Sequence, residues 1–193
     1  LSIYLSIYLS IFHTHTHTYT HRRKTKIPRL KYLYMNRDFH RWAKTNKVKA
    51  MNPYDPDVSK RPSPFPVSSA KALRIALCIE NRDELIQYSR DVFRAYWVDR
   101  KDISNIDVLR QISIKIFGAS RASNIILSSN SAKARQALRD NVDELIRRDG
   151  FGVPTVFINN EMYFGVDRMV FVERTLDEKH PSVVVSLQHT SKL

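Results

Sequence analysis

Gly150-Phe-Gly-Val-Pro-Thr-Val-Phe-Ile-Asn-Asn-Glu-Met-Tyr-Phe-Gly-Val-Asp-Arg168 is the stretch from which the fold is read. Thr155–Ile158 is β-branched and aromatic, Asn159-Asn160 is a turn signal, and Met162–Phe164 returns as a second strand. Proline cannot donate a ladder bond, so Pro154 belongs at the start or edge of its strand. If the Val153–Pro154 bond is cis, Val153 turns its own N–H and C=O outward, ready to pair with an extended peptide. Gly165 breaks the second strand, and residues 167–177 read as a helix. Its opening, Gly165-Val-Asp-Arg168, offers unpaired backbone N–H groups to a carboxylate, and Asp167 beside them suits an ammonium. Together the two segments hold a small zwitterionic peptide by its backbone and its amino-acid end. Taken alone, Asp167 and Arg168 read more readily as a helix-start acid and a surface arginine, worth a few tenths of a kcal/mol; the Val-Pro segment ahead turns the balance to the binding reading.

Upstream the period changes from strand to helix. Residues 31–45 place Tyr32, Met35, Phe39 and Trp42 on one helical face, and Val48–Met51 is a short extended candidate. Asn52–Pro66 holds five prolines, which remove donors and push their predecessors out of helical geometry, so it is a connector. Residues 68–79 and 82–98 are predicted helices. Ala72, Leu73, Ala76, Leu77 and Ile79 serve the first; Leu85, Ile86, Phe93, Tyr96 and Trp97 serve the second. Ser104 with Asp107 resembles a capping box for a helix to about Ile116, stopped by Gly118. A short helix is predicted over 120–127. Ser131 or Asn130 caps a longer one with Leu138, Val142, Leu145 and Ile146 inward, closed by Arg147, Arg148 and Gly150. The order is helix, extended piece, a helical block of about 80 residues, then hairpin and helix. Cys78, between Leu77 and Ile79, reads as a buried structural thiol.

The 193 residues suit one domain, or one with a sizeable insertion, and 42% hydrophobic residues supply a core. Cys78 is the single cysteine, so the chain has no internal disulfide and no Cys-x-x-Cys pair. The net charge of +13 is local: residues 22–49 carry 11 Lys or Arg against Asp38 alone, and everything else only +3. With no zinc spacing, RNP motif or helix-turn-helix beside that run, no nucleic-acid partner is expected. Residues 1–12 repeat Leu-Ser-Ile-Tyr and 13–18 repeat His-Thr. A TATC repeat and a CA repeat in DNA translate that way, so residues 1–26 are expected to be non-coding DNA carried into the reading frame. The apolar run is shorter than the roughly 20 residues a membrane span needs, and the basic residues follow it instead of preceding it as in a secretory signal. The alternating His13, His15 and His17 have no accompanying ligand cluster, and no metal is expected.

Val153-Pro154-Thr155, Phe164-Gly165-x-Asp167-Arg168, Phe93-Arg-Ala-Tyr-Trp-Val-Asp-Arg-Lys-Asp-Ile103 and Pro28-Arg-Leu-Lys-Tyr-Leu-Tyr-Met-Asn-Arg-Asp-Phe39 resemble the kappa-class glutathione transferases. They are also similar to the 2-hydroxychromene-2-carboxylate isomerases, in the DsbA-like thioredoxin superfamily. The likeness covers about residues 27–178. It implies an α/β, thioredoxin-like (DsbA-like) fold with an inserted helical domain. Residues 27–51 are then the N-terminal remnant of the thioredoxin-like part, 52–66 the connector, 67–149 the insertion, 150–178 the C-terminal hairpin and helix, and 179–193 a tail.

The resemblance implies glutathione as co-substrate. Lys31 matches a family lysine that contacts it. Val153 matches the residue whose backbone pairs with the cysteinyl part, with Pro154 as cis-proline. Asp167 and Arg168 match the segment that holds the γ-glutamyl end; Val166 replaces a small polar residue and keeps only its backbone N–H. The family also carries a serine between its first strand and first helix, which stabilises the glutathione thiolate, the nucleophile. Nothing before Lys31 matches that segment, so the first strand, first helix and catalytic serine are expected to be missing and the chain inactive as written. Conjugation or hydroperoxide reduction is the activity implied. A glutathione-dependent isomerase, a DsbA-type dithiol oxidoreductase and a non-catalytic truncated binding module stay open. A homodimer is implied by resemblance. Ser191-Lys192-Leu193 reads as a peroxisomal address for an import receptor, with the mitochondrion as second location.

Overall fold

The computed structural model describes residues 29–65 and 67–179, in two compact units that divide between Leu138 and Arg139. Among the described residues the first unit is helical. Helix α1 spans Arg29–Thr45 and buries no residue completely. Tyr32, Met35 and Phe39 are half-buried as the spacing predicts, but Trp42 remains 49% exposed. The Val48–Met51 candidate forms no strand; the Met51 N–H instead donates to the Trp97 carbonyl at 2.8 Å. An extended stretch needs a partner strand to become one, and here a helix end takes the amide.

The connector that follows is pinned by side chains, since proline leaves few amides to do it. Asn52 is buried, donating to Asn36 Oδ1 at 2.5 Å and accepting from the Tyr54 N–H at 2.8 Å. Arg61 donates to the Asp55 carbonyl and the Tyr32 hydroxyl, both at 2.6 Å. Buried polar groups cost stability unless paired in this way.

Helices α2 (Ala70–Ala76), α3 (Arg82–Trp97), α4 (Ile106–Phe117) and α5 (Ala119–Ser129) pack together around Ile75, Tyr88, Val92, Ile103 and Leu109. The buried face of α3 runs through Tyr88, Val92, Ala95 and Tyr96; of the residues predicted to serve it, Leu85, Ile86, Phe93 and Trp97 are half-buried. The two tyrosines close their polar ends on backbone, Tyr88 on the Ala72 carbonyl at 3.3 Å and Tyr96 on the Pro64 carbonyl at 2.8 Å. Asn81 caps α3, accepting from the Asp83 and Glu84 amides at 2.9 and 3.1 Å. The capping box proposed at Ser104 is corrected: Asn105 caps α4 through the Asp107 amide at 2.9 Å. Ser104 is spent on Asp102, to which its hydroxyl donates at 2.6 Å. Gly118 turns between α4 and α5 at φ 77°. Cys78 is half-buried, less enclosed than expected.

Helix α6 (Ala132–Arg147) runs across the division, capped by Ser131, whose Oγ accepts from the Ala134 amide at 3.1 Å. Of its predicted inward face Ile146 is exposed, and Ala134 is the buried position. The left-handed residue at its end is Asp149 at φ 60°, not Gly150. The Gly150 N–H reaches back to the Leu145 carbonyl at 2.8 Å, and a Cβ on Gly150 would stand 2.2 Å from Leu145 Cδ1.

In the second unit β1 (Thr155–Ile158) and β2 (Glu161–Phe164) form an antiparallel hairpin with Thr155 opposite Phe164 and Ile158 opposite Glu161. Asn159 supplies the turn at φ 56°. Helix α7 (Met169–Lys179) lies on both strands. Val156, Ile158, Tyr163, Val172 and Leu176 make the core, joined by Met169. The Tyr163 and Thr175 hydroxyls share a hydrogen bond of 2.8 Å across it. Helices with a small sheet are thus what the described residues contain.

Candidate functional site

Everything that the sequence reading places between 153 and 168 lies on the rim of this hairpin. The approach to β1 is held from inside: buried Thr155 donates its hydroxyl to the Gly152 carbonyl at 2.6 Å. The Val153–Pro154 bond is cis, as the binding reading requires. Among the described residues no hydrogen bond engages the Val153 backbone, because the ladder begins only at Thr155. That leaves its N–H and C=O available to an extended segment, the geometry of strand addition.

The second half of the site is tied to the first by one bond. The Gly165 N–H donates to the Pro154 carbonyl at 2.9 Å, which sets Gly165–Arg168 beside Val153–Pro154. Gly165 adopts φ 100°, a conformation that side chains resist, and a Cβ there would meet Asp167 Oδ1 at 2.5 Å. The carboxylate of Asp167 therefore folds back over Gly165. The helix begins later than predicted. Val166, Asp167 and Arg168 form a 3-10 turn, and α7 starts at Met169. Arg168 donates its amide to the Gly165 carbonyl at 3.1 Å. The amides of Val166 and Asp167 are engaged by no partner among the described residues, as expected of the first turn of a helical segment. Arg168 and Asp167 form an exposed ion pair at 3.5 Å, with the guanidinium 5.9 Å from the Phe171 ring centre.

One rim thus carries the unpaired Val153 backbone in the bend before β1, two amides without a partner among the described residues, a carboxylate and a guanidinium. A donor and an acceptor on Val153 suit a peptide unit. Amides at a turn suit a carboxylate, and Asp167 suits an ammonium. Val153, Pro154, Val166, Asp167 and Arg168 are brought together. Lys31 is an exposed residue of α1 in the other unit. Ser191, Lys192 and Leu193 fall outside the described residues, as do His13, His15, His17 and the 1–26 repeat. Among the described residues no three metal-ligating side chains cluster, and no helix is long and apolar enough to cross a membrane.

The sequence reading gives Phe151 no role, and Phe164 none beyond its place in the Phe164-Gly165-x-Asp167-Arg168 motif. Their rings pack at 4.6 Å between centres, tilted by 52°, and a Cβ on Gly152 would stand 2.8 Å from Phe164 Cε2. The signal was present as aromatics flanking the Val-Pro segment and ending the second strand. Spacing alone does not separate such rings from core.

The sequence profile of the DSBA-like thioredoxin domain matches residues 12–177. The chain is 28% identical over 150 residues to a 2-hydroxychromene-2-carboxylate isomerase of Pseudomonas putida, covering 77% of this chain and 66% of that protein. A 2-hydroxychromene-2-carboxylate isomerase of Pseudomonas sp. (strain C18) is 27% identical over 145 residues, covering 74% of this chain and 61% of that one. The chain therefore spans slightly less than two thirds of the length of these curated relatives. A solved structure of a 2-hydroxychromene-2-carboxylate isomerase superposes with a TM-score of 0.63 at 22% identity, over 77% of this chain and 67% of that one. At that identity the likeness speaks for the fold.

Proposed function

The chain belongs to the DSBA-like thioredoxin domain family, and within that frame we propose that it binds glutathione on the hairpin rim as a kappa-type glutathione transferase. The observation that carries the reading is the Gly165 N–H to Pro154 carbonyl bond, which makes one continuous surface of two segments that each suit one half of a γ-glutamyl peptide. Val153 pairs with the cysteinyl backbone, Pro154 shapes that edge, the Val166 and Asp167 amides take the γ-glutamyl carboxylate, and Asp167 takes its ammonium. Arg168 holds Asp167 in place. Lys31 is a further glutathione contact on the strength of its motif, and needs its own variant. These residues bind; they include no donor that lowers the thiol pKa, so turnover requires one supplied from elsewhere in the protein.

Calorimetric titration tests binding apart from turnover. Glutathione binds saturably, cysteinylglycine binds at least about tenfold more weakly because it lacks the γ-glutamyl end, and Asp167→Ala removes most of that preference. Equal binding of the two peptides, or none of either, overturns the proposal.

A second reading is a glutathione-dependent isomerase of an aromatic carboxylate, favoured by the two Pseudomonas relatives that carry that name. Assays with an electrophile, a hydroperoxide and an aromatic carboxylate isomer separate the activities. We extend the proposal to a homodimer and to peroxisomal delivery by Ser191-Lys192-Leu193. Fusing a protein after Leu193 disperses the chain into the cytosol if that address is read.

A further inference from the structure

Helix α5 ends without a basic residue of its own in its last turn. Two arginines from other helices come to its final carbonyls instead. Arg74 of α2 donates through Nε to the Ser129 carbonyl at 3.0 Å. Arg135, in the first turn of α6, donates through a terminal nitrogen to the carbonyl of the next residue, Asn130. Two cations at a helix C-terminus read first as capping. The magnitudes do not balance, however. The carbonyl end of a helix amounts to about half a negative charge, and each guanidinium brings a full positive one. Among the described residues no carboxylate forms an ion pair with either arginine. Helix α6 also lacks an acid in its first turn, where one is ordinarily favoured. The Arg74 guanidinium is held below its usual value, by burial first and by the Arg135 charge second, and no acid offsets them. Most N–H donors of both side chains stay unused among the described residues, including the two terminal nitrogens of Arg74.

We propose that Arg74 and Arg135 together form a binding site for a phosphate group, carried on a small ester or free in solution. Near neutral pH such a group holds a charge of about −1.5 to −2, enough to answer what the α5 carbonyls leave. Planar guanidinium forks match its oxygens, and a carboxylate, with one charge, answers less of the excess. The site shares no residue with the hairpin rim and stands independently of the glutathione reading.

Calorimetric titration of the full chain at low ionic strength uses inorganic phosphate and phenyl phosphate, with sodium chloride at matched ionic strength as the blank. The phosphate probe binds saturably, with a dissociation constant of about 1 mM or tighter, and raises the denaturant midpoint above that in chloride. Tighter binding of phenyl phosphate assigns an ester as the ligand; equal or tighter binding of inorganic phosphate assigns the free anion. Arg135→Gln changes an exposed position and leaves the Arg74 bond to Ser129 in place. It weakens phosphate binding about tenfold or more while its midpoint in chloride stays unchanged. Arg90→Gln, which removes an exposed arginine of α3, leaves binding as it was. Absence of saturable binding, or an equal loss in Arg90→Gln, overturns the proposal, because the attraction is then one of net charge alone. Full phosphate affinity in Arg135→Gln, or in Arg135→Lys should the first variant fail to fold, assigns the pair to capping α5 and also overturns it.

Discussion

The helix group around Leu109 and the hairpin rim around Gly165 use apolar residues in opposite ways. In the first, Ile75, Ile103 and Leu109 lose all contact with solvent, and Tyr88 and Tyr96 turn even their hydroxyls onto backbone carbonyls. In the second, Phe151, Phe164 and Val166 stay outside while small residues, Gly152 and Gly165, lie beneath or between them. The difference teaches where each region keeps its stability. One is held by close packing, which any loss of volume damages. The other is held by a few backbone bonds, by Gly165 at φ 100° and by Gly152 leaving room for the Phe164 ring, so its larger side chains stay exposed.

The comparison breaks first at Leu109. Leu109→Ala removes a fully buried side chain from packed helices and lowers unfolding free energy by about 2–5 kcal/mol, whereas Phe164→Ala lowers it by less than about 1 kcal/mol. Denaturant unfolding of both variants measures the contrast, and equal losses would mean that the rim is core after all.

Gly165→Ala attacks the rim at its conformation. At φ 100°, with Asp167 Oδ1 where the methyl group would go, the substitution costs about 1–3 kcal/mol locally and weakens glutathione binding. Titration of glutathione against the variant checks it. An unchanged affinity would show that the Gly165–Arg168 turn is not part of the peptide site.

The helical region is also sharpened by pH. Burial, with the Asp102 carboxylate assisting, pushes the Tyr96 hydroxyl from 10.0 up to about 12. A folded-state value raised above the unfolded one stabilises below the unfolded value and loses that contribution as pH climbs through the folded one. The helical signal in circular dichroism therefore becomes less resistant to denaturant between about pH 10 and 12, and Tyr96→Phe flattens the change. The smallest effect is at Cys78, whose thiol burial also pushes upward. Since thiolate is the reactive form, alkylation of Cys78 at mildly alkaline pH is several-fold slower in the folded chain than in the unfolded one. Equal rates would mean that the α2 end opens freely.

Much of this was legible in the residues. The hairpin, its Asn159 turn, the Val-Pro segment at the strand start and the helices of the block follow from period and turn chemistry, because those signals are local. Errors came where two neighbours competed for one role. Asn105 and Ser104 both cap well, and Asp102 decides between them by occupying Ser104. Asp149 takes the left-handed position ahead of Gly150, and Gly150 instead leaves the space that Leu145 occupies. Trp42 and Ile146 continue apolar stripes and yet stay exposed, since a stripe predicts a face but not a neighbour to cover it. Likewise Val48–Met51 lacks a partner strand.

By itself the sequence determined the order of elements and the positions of the Val-Pro segment and of the Gly165 break, since these depend on residue type and spacing along one chain. Tertiary structure decided that the two segments meet. The Gly165 N–H to Pro154 carbonyl bond joins positions eleven residues apart, carrying the hairpin register one pair past Thr155–Phe164 and across the cis proline. It also decided that Phe164 stays 40% exposed while Phe157, on the same face of the hairpin, is buried, since burial depends on which neighbours cover each position.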